Sequence, residues 1–143
     1  MGKIGVVGQG YVGTAIKLGF KDHYDVLTYD KFDLGKSTHS KISDLVAEAK
    51  VIFVCVPTPM RKDGTCYTGI VEEVIREINE TATDHIIVIK STIPPGTTDR
   101  INQEYTHSTV IFNPEFLTEA NFLEDFRNQK RIILGGDRKG TNK

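Results

Sequence analysis

Three glycines, Gly8, Gly10 and Gly13, form a G-x-G-x-x-G loop directly after a short apolar run. In such a loop the first glycine permits a tight turn, the second lets a pyrophosphate approach the backbone, and the third lets a helix pack closely on the preceding strand. That helix also offers unpaired N–H groups and the positive end of its dipole to phosphates. Thirteen glycines make a chance match easy, but a predicted strand before the loop and a predicted helix after it provide the expected context. The loop therefore predicts binding of a dinucleotide.

An acidic residue, Asp30, ends the second predicted strand, seventeen residues after Gly13. A carboxylate at this position can accept hydrogen bonds from both hydroxyls of the adenosine ribose and would repel a 2′-phosphate. The predicted cofactor is therefore NAD rather than NADP. The neighbouring Lys31 could offset part of that repulsion, and the alternative interpretation makes Asp30 a solvated turn residue.

Polar residues also follow the third and fourth predicted strands, at the edge where open α/β sheets bind their ligands. Thr58 lies between Pro57 and Pro59, which fix the backbone and end the strand, so its hydroxyl could face the cofactor. Ser91 and Thr92 precede a Pro-Pro-Gly turn and could place an alcohol donor or a water near the nicotinamide. The alternatives are a rigid exit turn around Thr58 and an ordinary hydroxyl-rich turn at Ser91 and Thr92.

Two carboxylates, Glu115 and Glu119, follow the fifth predicted strand, four residues apart. If this segment is helical, that spacing places them on one face. A carboxylate near bound substrate could accept a proton or hold a water. The alternative is that both are acids at the start of a helix, where the helix dipole favours them.

The elements that would position these residues are short β-branched runs that alternate with helical periodicities. Strands are predicted at Lys3–Val7, Asp25–Tyr29, Val51–Val56, His85–Ile89, Thr109–Phe112 and Arg131–Leu134. Helices are predicted at Tyr11–Phe20, Ile42–Ala49 and Ile70–Ile78, and near Thr98 and Glu119. The alternation predicts an α/β fold of the Rossmann type, with a doubly wound, mostly parallel six-stranded sheet and helices on both faces. One dinucleotide-binding domain is predicted over residues 1–136, with a polar tail at 137–143.

Charge, hydropathy and cysteine content exclude several other classes of function. Eighteen basic and nineteen acidic residues give a net charge of −1, which predicts no nucleic-acid or membrane partner. No apolar run approaches the roughly 18 residues that cross a bilayer, and the N-terminus lacks a secretory pattern. We therefore expect a soluble, cytoplasmic protein. Cys55 and Cys66 form no C-x-x-C motif and have no suitably spaced histidines, so neither a metal site nor a disulfide is predicted.

Five features together resemble one known family. GQGYVG, Asp30, CVPTP, STIPPGTT and FNPEFLTEANFLEDF have the order and spacing of the N-terminal, NAD-binding domain of UDP-glucose/GDP-mannose dehydrogenases. The resemblance runs from Lys3 to about Gly136, and the last two motifs are its most specific part. The cofactor contacts that it implies are Gly8, Gln9, Gly10, Tyr11, Val12, Gly13, Asp30, Val56, Pro57, Thr58, Ser91, Thr92 and Glu119. It also implies catalytic roles for Thr92 and Glu115, in positioning water and assisting proton transfer. The substrate-binding residues that it implies are Glu115, Phe116, Leu117 and Glu119.

The same resemblance implies a reaction. Family members oxidise the C6 alcohol of a sugar nucleotide to a carboxylate by two hydride transfers to NAD, and the second step passes through a thioester on a cysteine. That cysteine, a catalytic lysine and an asparagine belong to later domains, and neither Cys55 nor Cys66 matches the nucleophile. We therefore expect the chain alone to bind NAD without turnover, with UDP-glucose as the favoured substrate of the complete enzyme.

Two other functions share the glycine loop. A stand-alone dinucleotide-sensing regulatory module has a similar length but no need of Thr92 and Glu115 at the strand ends. Another NAD-linked dehydrogenase, such as a hydroxyacid type, would not be expected to carry the NPEFLTE motif. The strand-end residues therefore favour the sugar-nucleotide dehydrogenase.

Overall fold

The computed structural model describes residues 1–81 and 83–137. In this part of the chain five parallel strands form one sheet, in the order β2-β1-β3-β4-β5. The strands are β1 (Lys3–Val7), β2 (Asp25–Tyr29), β3 (Val51–Val54), β4 (His85–Ile89) and β5 (Ser108–Phe112). The helices are α1 (Tyr11–Phe20), α2 (Ile42–Glu48), α3 (Gly69–Thr81), α4 (Thr97–Glu104) and α5 (Phe122–Arg127). The predicted α/β fold of the Rossmann type is confirmed.

Two apolar layers cover the sheet, because side chains alternate between its faces along each strand. On one face Ile52 and Ile87 are fully buried in a core cluster with residues of α2 and α3. On the other face Phe20 of α1 stacks on Phe53 at 5.9 Å between ring centroids and meets Phe126 of α5 edge-on at 6.1 Å. The chain passes from β1 to β2 in one direction and from β2 onward in the other, so right-handed crossovers place helices on both faces, as predicted.

The strand order creates a crevice between β1 and β3. Their last residues, Val7 and Val54, are register partners, and the ladder continues where Cys55 donates its N–H to the carbonyl of Val7 at 2.8 Å. The chain leaves β1 toward one side and β3 toward the other. In open α/β sheets ligands bind outside the carboxyl ends of the strands at such a switch point.

The predicted sixth strand, Arg131–Leu134, is wrong. In place of a strand, the described residues after α5 form one antiparallel bridge to β5, in which Phe112 and Gly135 exchange backbone hydrogen bonds of 2.7 Å. A parallel sixth strand would need a crossover that returns the chain to the amino edge of the sheet. The six residues of α5 rise about 9 Å, whereas the five residues of β5 span about 16 Å. The chain therefore stays near the carboxyl edge, and Ile132 is 77% exposed.

Three other predictions concern the ends of elements and the remaining residues. β3 ends at Val54 rather than Val56, and the helix predicted near Glu119 begins as the 3₁₀ turn Glu119–Asn121 before α5. Of the predicted tail at 137–143, residues 138–143 lie outside the described residues. None of the described helices combines the length and apolar character needed to span a membrane.

Candidate functional site

A cleft of about 310 Å³ lies at the carboxyl edge of the sheet, over the switch point. It is lined by Gly10, Tyr11, Val12, Cys55, Val56, Pro57, Thr58, Lys90, Ser91, Thr92, Glu115 and Leu117. All of these except Cys55 and Lys90 are residues that the sequence singles out. The exits of β1, β3, β4 and β5 therefore bring together the glycine loop, both hydroxyl-bearing turns and one of the two predicted carboxylates.

The three glycines of the loop have different surroundings. Gly8 has a φ of +94°, and a Cβ there would stand 2.5 Å from the carbonyl oxygen of Cys55. A Cβ on Gly13 would stand only 1.8 Å from the carbonyl oxygen of Gly8, because α1 begins directly against β1. A Cβ on Gly10 would meet no atom within 4 Å. The loop is therefore closed on the protein side at Gly8 and Gly13 and open on the cleft side at Gly10.

The Asp30 carboxylate is joined directly to this loop. Its Oδ2 accepts the backbone N–H of Gln9 at 2.7 Å, and its Oδ1 accepts those of Phe32 at 2.9 Å and Asp33 at 3.0 Å. Burial disfavours the charged form of Asp30, but these hydrogen bonds outweigh that effect and lower its pKa below the ordinary 3.8. Asp30 is thus an anion at neutral pH that holds the turn after β2 as well as the glycine loop.

The two hydroxyl-bearing turns differ in how they use their side chains. Ser91 is buried, and its hydroxyl donates to the carbonyl of Val56 at 2.6 Å, which ties the exit of β4 to the exit of β3. Thr92 is exposed at the cleft, and its carbonyl accepts a hydrogen bond from the thiol of Cys66 at 3.6 Å. Thr58 lines the cleft and is half-buried. Thr92 and Thr58 therefore offer side chains to a ligand, while the hydroxyl of Ser91 is occupied by the protein.

Lys90 is a site residue that the sequence analysis missed. Its Nζ lies 2.8 Å from Oε2 of Glu115 and 2.8 Å from Oδ1 of Asn113, and the side chains of Lys90 and Glu115 are only 2% and 8% exposed. The other oxygen of Glu115 accepts the backbone N–H of Phe116 at 3.1 Å. The available signal was a lysine at the end of the apolar β4 run, immediately before Ser91.

Of the three predicted site residues that follow Glu115, only one lines the cleft. Leu117 lines the cleft, whereas Phe116 is 66% exposed and lies in a neighbouring cavity with Lys130 and Arg131. Glu119 is exposed in its 3₁₀ turn and is not among the residues that line the cleft. The structure thus brings Leu117, but not Glu119, to the cleft wall.

The condition under which Glu115 and Glu119 would share a helical face is not met, because residues 113–118 are not helical. Pro114 disfavours helical backbone in the residue before it. Thr118 then donates its N–H and its hydroxyl to Oδ2 of Asp125, at 2.9 and 2.5 Å. Helical structure therefore begins only after Thr118.

The two cysteines lie at different places, one directly after β3 and the other in the loop that leads to α3. Cys55 is only half-buried as a residue, but burial of its sulfur raises the pKa of the thiol to about 12, with smaller opposing effects from Lys90 and Glu115. Cys66 is half-buried in the loop between β3 and α3. Within residues 1–81 and 83–137, no three His, Cys, Asp or Glu side chains are grouped so that they could hold a metal ion.

We expect Cys55 to resist alkylation. With a pKa of about 12, roughly one Cys55 thiol in ten thousand is ionised at about pH 8, and only the thiolate reacts. Iodoacetamide should therefore label Cys66 at least about tenfold faster than Cys55. Peptide mass spectrometry of the wild type, Cys55→Ser and Cys66→Ser measures both rates. Equal labelling of the two cysteines would contradict the expected burial of Cys55.

Comparison with known proteins gives concordant matches. The family model described as "UDP-glucose/GDP-mannose dehydrogenase family, NAD binding domain" matches residues 33–143. The UDP-glucose 6-dehydrogenase of Rhizobium meliloti (strain 1021) is 31% identical over 94% of this chain. The solved UDP-glucose dehydrogenase of the hyperthermophilic archaeon Pyrobaculum islandicum matches 99% of the chain with a TM-score of 0.84 and 29% identity. A ternary complex of GDP-mannose dehydrogenase from Pseudomonas aeruginosa matches 97% with a TM-score of 0.81 and 26% identity.

These relatives are longer than the chain. It covers 39% of the Rhizobium meliloti protein and 42% of each of the two solved chains. The chain thus spans about two fifths of the length of the relatives it matches.

Proposed function

Because the chain belongs to the UDP-glucose/GDP-mannose dehydrogenase family and carries its NAD-binding domain, we propose that residues 1–136 hold NAD in the cleft as one part of a sugar-nucleotide dehydrogenase. The proposed cofactor contacts from the glycine loop and β2 are Gly8, Gln9, Gly10, Tyr11, Val12, Gly13 and Asp30. Those from the later strand ends are Val56, Pro57, Thr58, Ser91, Thr92 and Glu119. Glu115, Phe116, Leu117 and Glu119 are the proposed substrate contacts.

One observation carries this proposal: the open side of Gly10, the amino end of α1 and the Asp30 carboxylate converge on one place. Gln9 links them, because its backbone N–H binds Asp30 at 2.7 Å, and Gly10 leaves open the volume that a Cβ would fill. A pyrophosphate over Gly10 would lie at the amino end of α1, where helices favour anions. The adenosine ribose would then lie toward Asp30, and the nicotinamide toward Thr58 and Thr92. The residues present therefore fit the cofactor.

The chemistry proposed for the chain itself is confined to Thr92 and Glu115. NAD, when bound, accepts a hydride from the alcohol carbon of the sugar nucleotide. Thr92 is exposed at the cleft and Glu115 is part of the cleft wall, so together they can hold a water and assist removal of the alcohol proton. In the complete enzyme we propose two successive oxidations of C6, with UDP-glucose as substrate and later residues supplying the cysteine nucleophile. The compartment that we propose is the cytoplasm.

The second candidate function is a dinucleotide-sensing module without catalysis. The glycine loop and Asp30 are compatible with both functions. A carboxylate held by a buried lysine at the exit of β5 is a costly arrangement that cofactor sensing alone does not require. The pairing of Glu115 with Lys90 therefore favours the dehydrogenase.

Calorimetric titration with NAD and a steady-state assay test the proposal. We expect the wild-type chain to bind NAD with a Kd between about 1 μM and 1 mM, the range in which the KM values of enzymes commonly fall. With NAD and UDP-glucose, the chain alone should produce no steady NADH signal. Mixing it with the separately expressed later domains of a full-length family member should restore NADH production, since the missing catalytic groups are then supplied.

Each result bears on a different part of the proposal. Failure to bind NAD would contradict the cofactor site. Steady NADH production by the chain alone would contradict the division of catalysis between domains. Binding without restored activity would favour the sensing module.

A further inference from the structure

We propose that Lys90 is a charge-balancing residue, which cancels the charge of Glu115 and thereby sets the ratio between the affinities of the cleft for NAD⁺ and NADH. The inference rests on the proposed function, because it places the nicotinamide end of the cofactor near Thr92 and Glu115. The inference goes beyond the proposed function because it concerns how the cleft discriminates between NAD⁺ and NADH, which none of the sequence motifs predicts.

The contact between the two side chains is close and sheltered from water. Lys90 Nζ and Glu115 Oε2 are 2.8 Å apart, with side-chain exposures of 2% and 8%. Screening by solvent is weak for such a pair, in contrast to an ion pair on the surface. Both residues line the cleft. Each charge therefore acts on a ligand in the cleft unless the other charge cancels it.

Asn113 holds the lysine in place. Its Oδ1 accepts a hydrogen bond from Lys90 Nζ at 2.8 Å, its Nδ2 donates to the carbonyl of Ile133 at 2.9 Å, and its backbone N–H donates to the carbonyl of Ile89 at 2.9 Å. With Asn113 as its hydrogen-bond acceptor and Glu115 as its ion-pair partner, the ammonium is fixed at the exit of β5. Lys90 is thus anchored at the cleft wall.

The charge of the cleft wall depends on this pair. Among the described residues that line the cleft, Lys90 and Glu115 are the two whose side chains belong to the charged types. The Cys55 thiol, whose pKa is raised to about 12 by burial, adds no charge to the wall near neutral pH. The wall has no net charge because the charges of Lys90 and Glu115 cancel, and removal of either side chain leaves one net charge.

A net charge there would distinguish the two redox states of the cofactor. The nicotinamide ring of NAD⁺ carries a positive charge, and the ring of NADH does not. A lone Glu115 carboxylate would attract NAD⁺ preferentially, and a lone Lys90 ammonium would repel it. With an effective dielectric constant of about 20 and a separation of several ångströms, the Coulomb energy corresponds to a change of about tenfold or more in relative affinity.

The test compares the Kd values for NAD⁺ and NADH in the wild type, Lys90→Met, Glu115→Gln and the double variant. We expect the ratio Kd(NADH)/Kd(NAD⁺) to rise about tenfold in Lys90→Met and to fall in Glu115→Gln. The double variant should return the ratio to about the wild-type value, because no lone charge remains. Lys50→Met is the matched control: it removes one exposed lysine at the amino edge of the sheet and should leave the ratio unchanged.

Three features of the design make the result decisive. Both single variants are measured between about pH 6 and about pH 9, because a buried lone charge can be neutralised by gain or loss of a proton. If Lys90→Met does not fold, the fall in Glu115→Gln and its reversal in the double variant still test the proposal, since replacing both partners is tolerated better than removing one. Equal changes in both affinities, or an unchanged ratio across the pH range, would overturn it. A wild-type chain that binds neither cofactor would overturn the proposed function instead.

Discussion

Replacing Gly13 by alanine is expected to lower the free energy of unfolding by about 3 kcal/mol and to abolish measurable NAD binding. The new Cβ would stand 1.8 Å from the carbonyl oxygen of Gly8, and overpacking of a rigid site costs about 1 to 3 kcal/mol or more. The carbonyl of Gly8 has little freedom to move away, because the N–H of Gly8 donates to the carbonyl of Tyr29 at 2.8 Å and the Gly8 carbonyl itself accepts from Gln9 Nε2 at 3.1 Å. We therefore expect α1 to be displaced from β1, with a fall in Tm of about 10 °C.

Gly10→Ala is the matched control for this prediction. Its Cβ would enter open space, and Gly10 has a φ of −68° and a ψ of −163°, which alanine can adopt. We expect its stability to fall by only about 1 kcal/mol, the usual cost of alanine at a helix N-cap, while NAD binding weakens at least about tenfold because the Cβ occupies the proposed path of the pyrophosphate. Thermal unfolding and calorimetry of both variants separate the two effects. Unchanged NAD affinity in Gly10→Ala would contradict the proposed phosphate site, and an unchanged Tm in Gly13→Ala would contradict the close packing of α1 on the loop.

Asp30→Asn is expected to weaken NAD binding by about ten- to a hundredfold and to narrow the preference for NAD over NADP. Hydrogen bonds to charged groups contribute about 1.5 to 3 kcal/mol, and the neutral amide no longer repels a 2′-phosphate. In the wild type the two carboxylate oxygens of Asp30 accept the N–H of Gln9 and those of Phe32 and Asp33. In the variant the NH₂ group of Asn replaces one of these oxygens, so one set of hydrogen bonds is lost. Titration with NAD and NADP measures both effects.

Asp25→Asn controls for the change in net charge, because Asp25 is exposed at the amino end of β2, the opposite edge of the sheet from the cleft. It should leave both affinities within about twofold of the wild type. An Asp30→Asn variant with the same NAD/NADP preference as the wild type would contradict the predicted role of Asp30 at the ribose.

The stabilising effect of Asp30 should also depend on pH in a defined direction. Its pKa in the folded protein is lowered from the ordinary 3.8, so the folded state favours the ionised form. The resulting stabilisation is fully present above the unfolded-state pKa and is lost as the pH falls through the lower, folded-state pKa. The stability difference between wild type and Asp30→Asn should therefore be constant near neutral pH and shrink below about pH 4.

The amino-acid sequence by itself determined five of the six predicted strands as strands, and it determined the phosphate loop. β1, β2 and β4 have the bounds that their β-branched runs predict, because such runs between turn signals favour strands locally. The need for glycine at positions 8 and 13 was equally predictable, since the turn conformation of Gly8 and the contact of Gly13 with the Gly8 carbonyl both arise within one strand–turn–helix unit. The convergence of the strand ends on one edge also follows from the alternation of strands and helices, which predicts a parallel sheet.

Only the tertiary structure decided which side chains meet at that edge. Lys90 and Glu115 form their ion pair because β4 and β5 are neighbours in register at Ile89 and Phe112, which places Lys90 beside Asn113. The absence of the predicted sixth strand likewise has a tertiary cause. Arg131–Leu134 has a suitable β-branched pattern, but the short helix α5 does not return the chain to the amino edge of the sheet, where a parallel strand would have to begin. Local patterns encode which backbone conformation a segment favours. Contacts between residues distant in the chain depend instead on strand order, register and the path of the connections.

The glycine loop and Asp30 were therefore evident from residue types and spacing, whereas the neutral, lysine-balanced wall of the cleft was not. The glycine pattern lies within one strand–turn–helix unit and can be read there, although the folded loop also binds Asp30 through the N–H of Gln9. The wall forms across two strands whose pairing depends on the complete sheet.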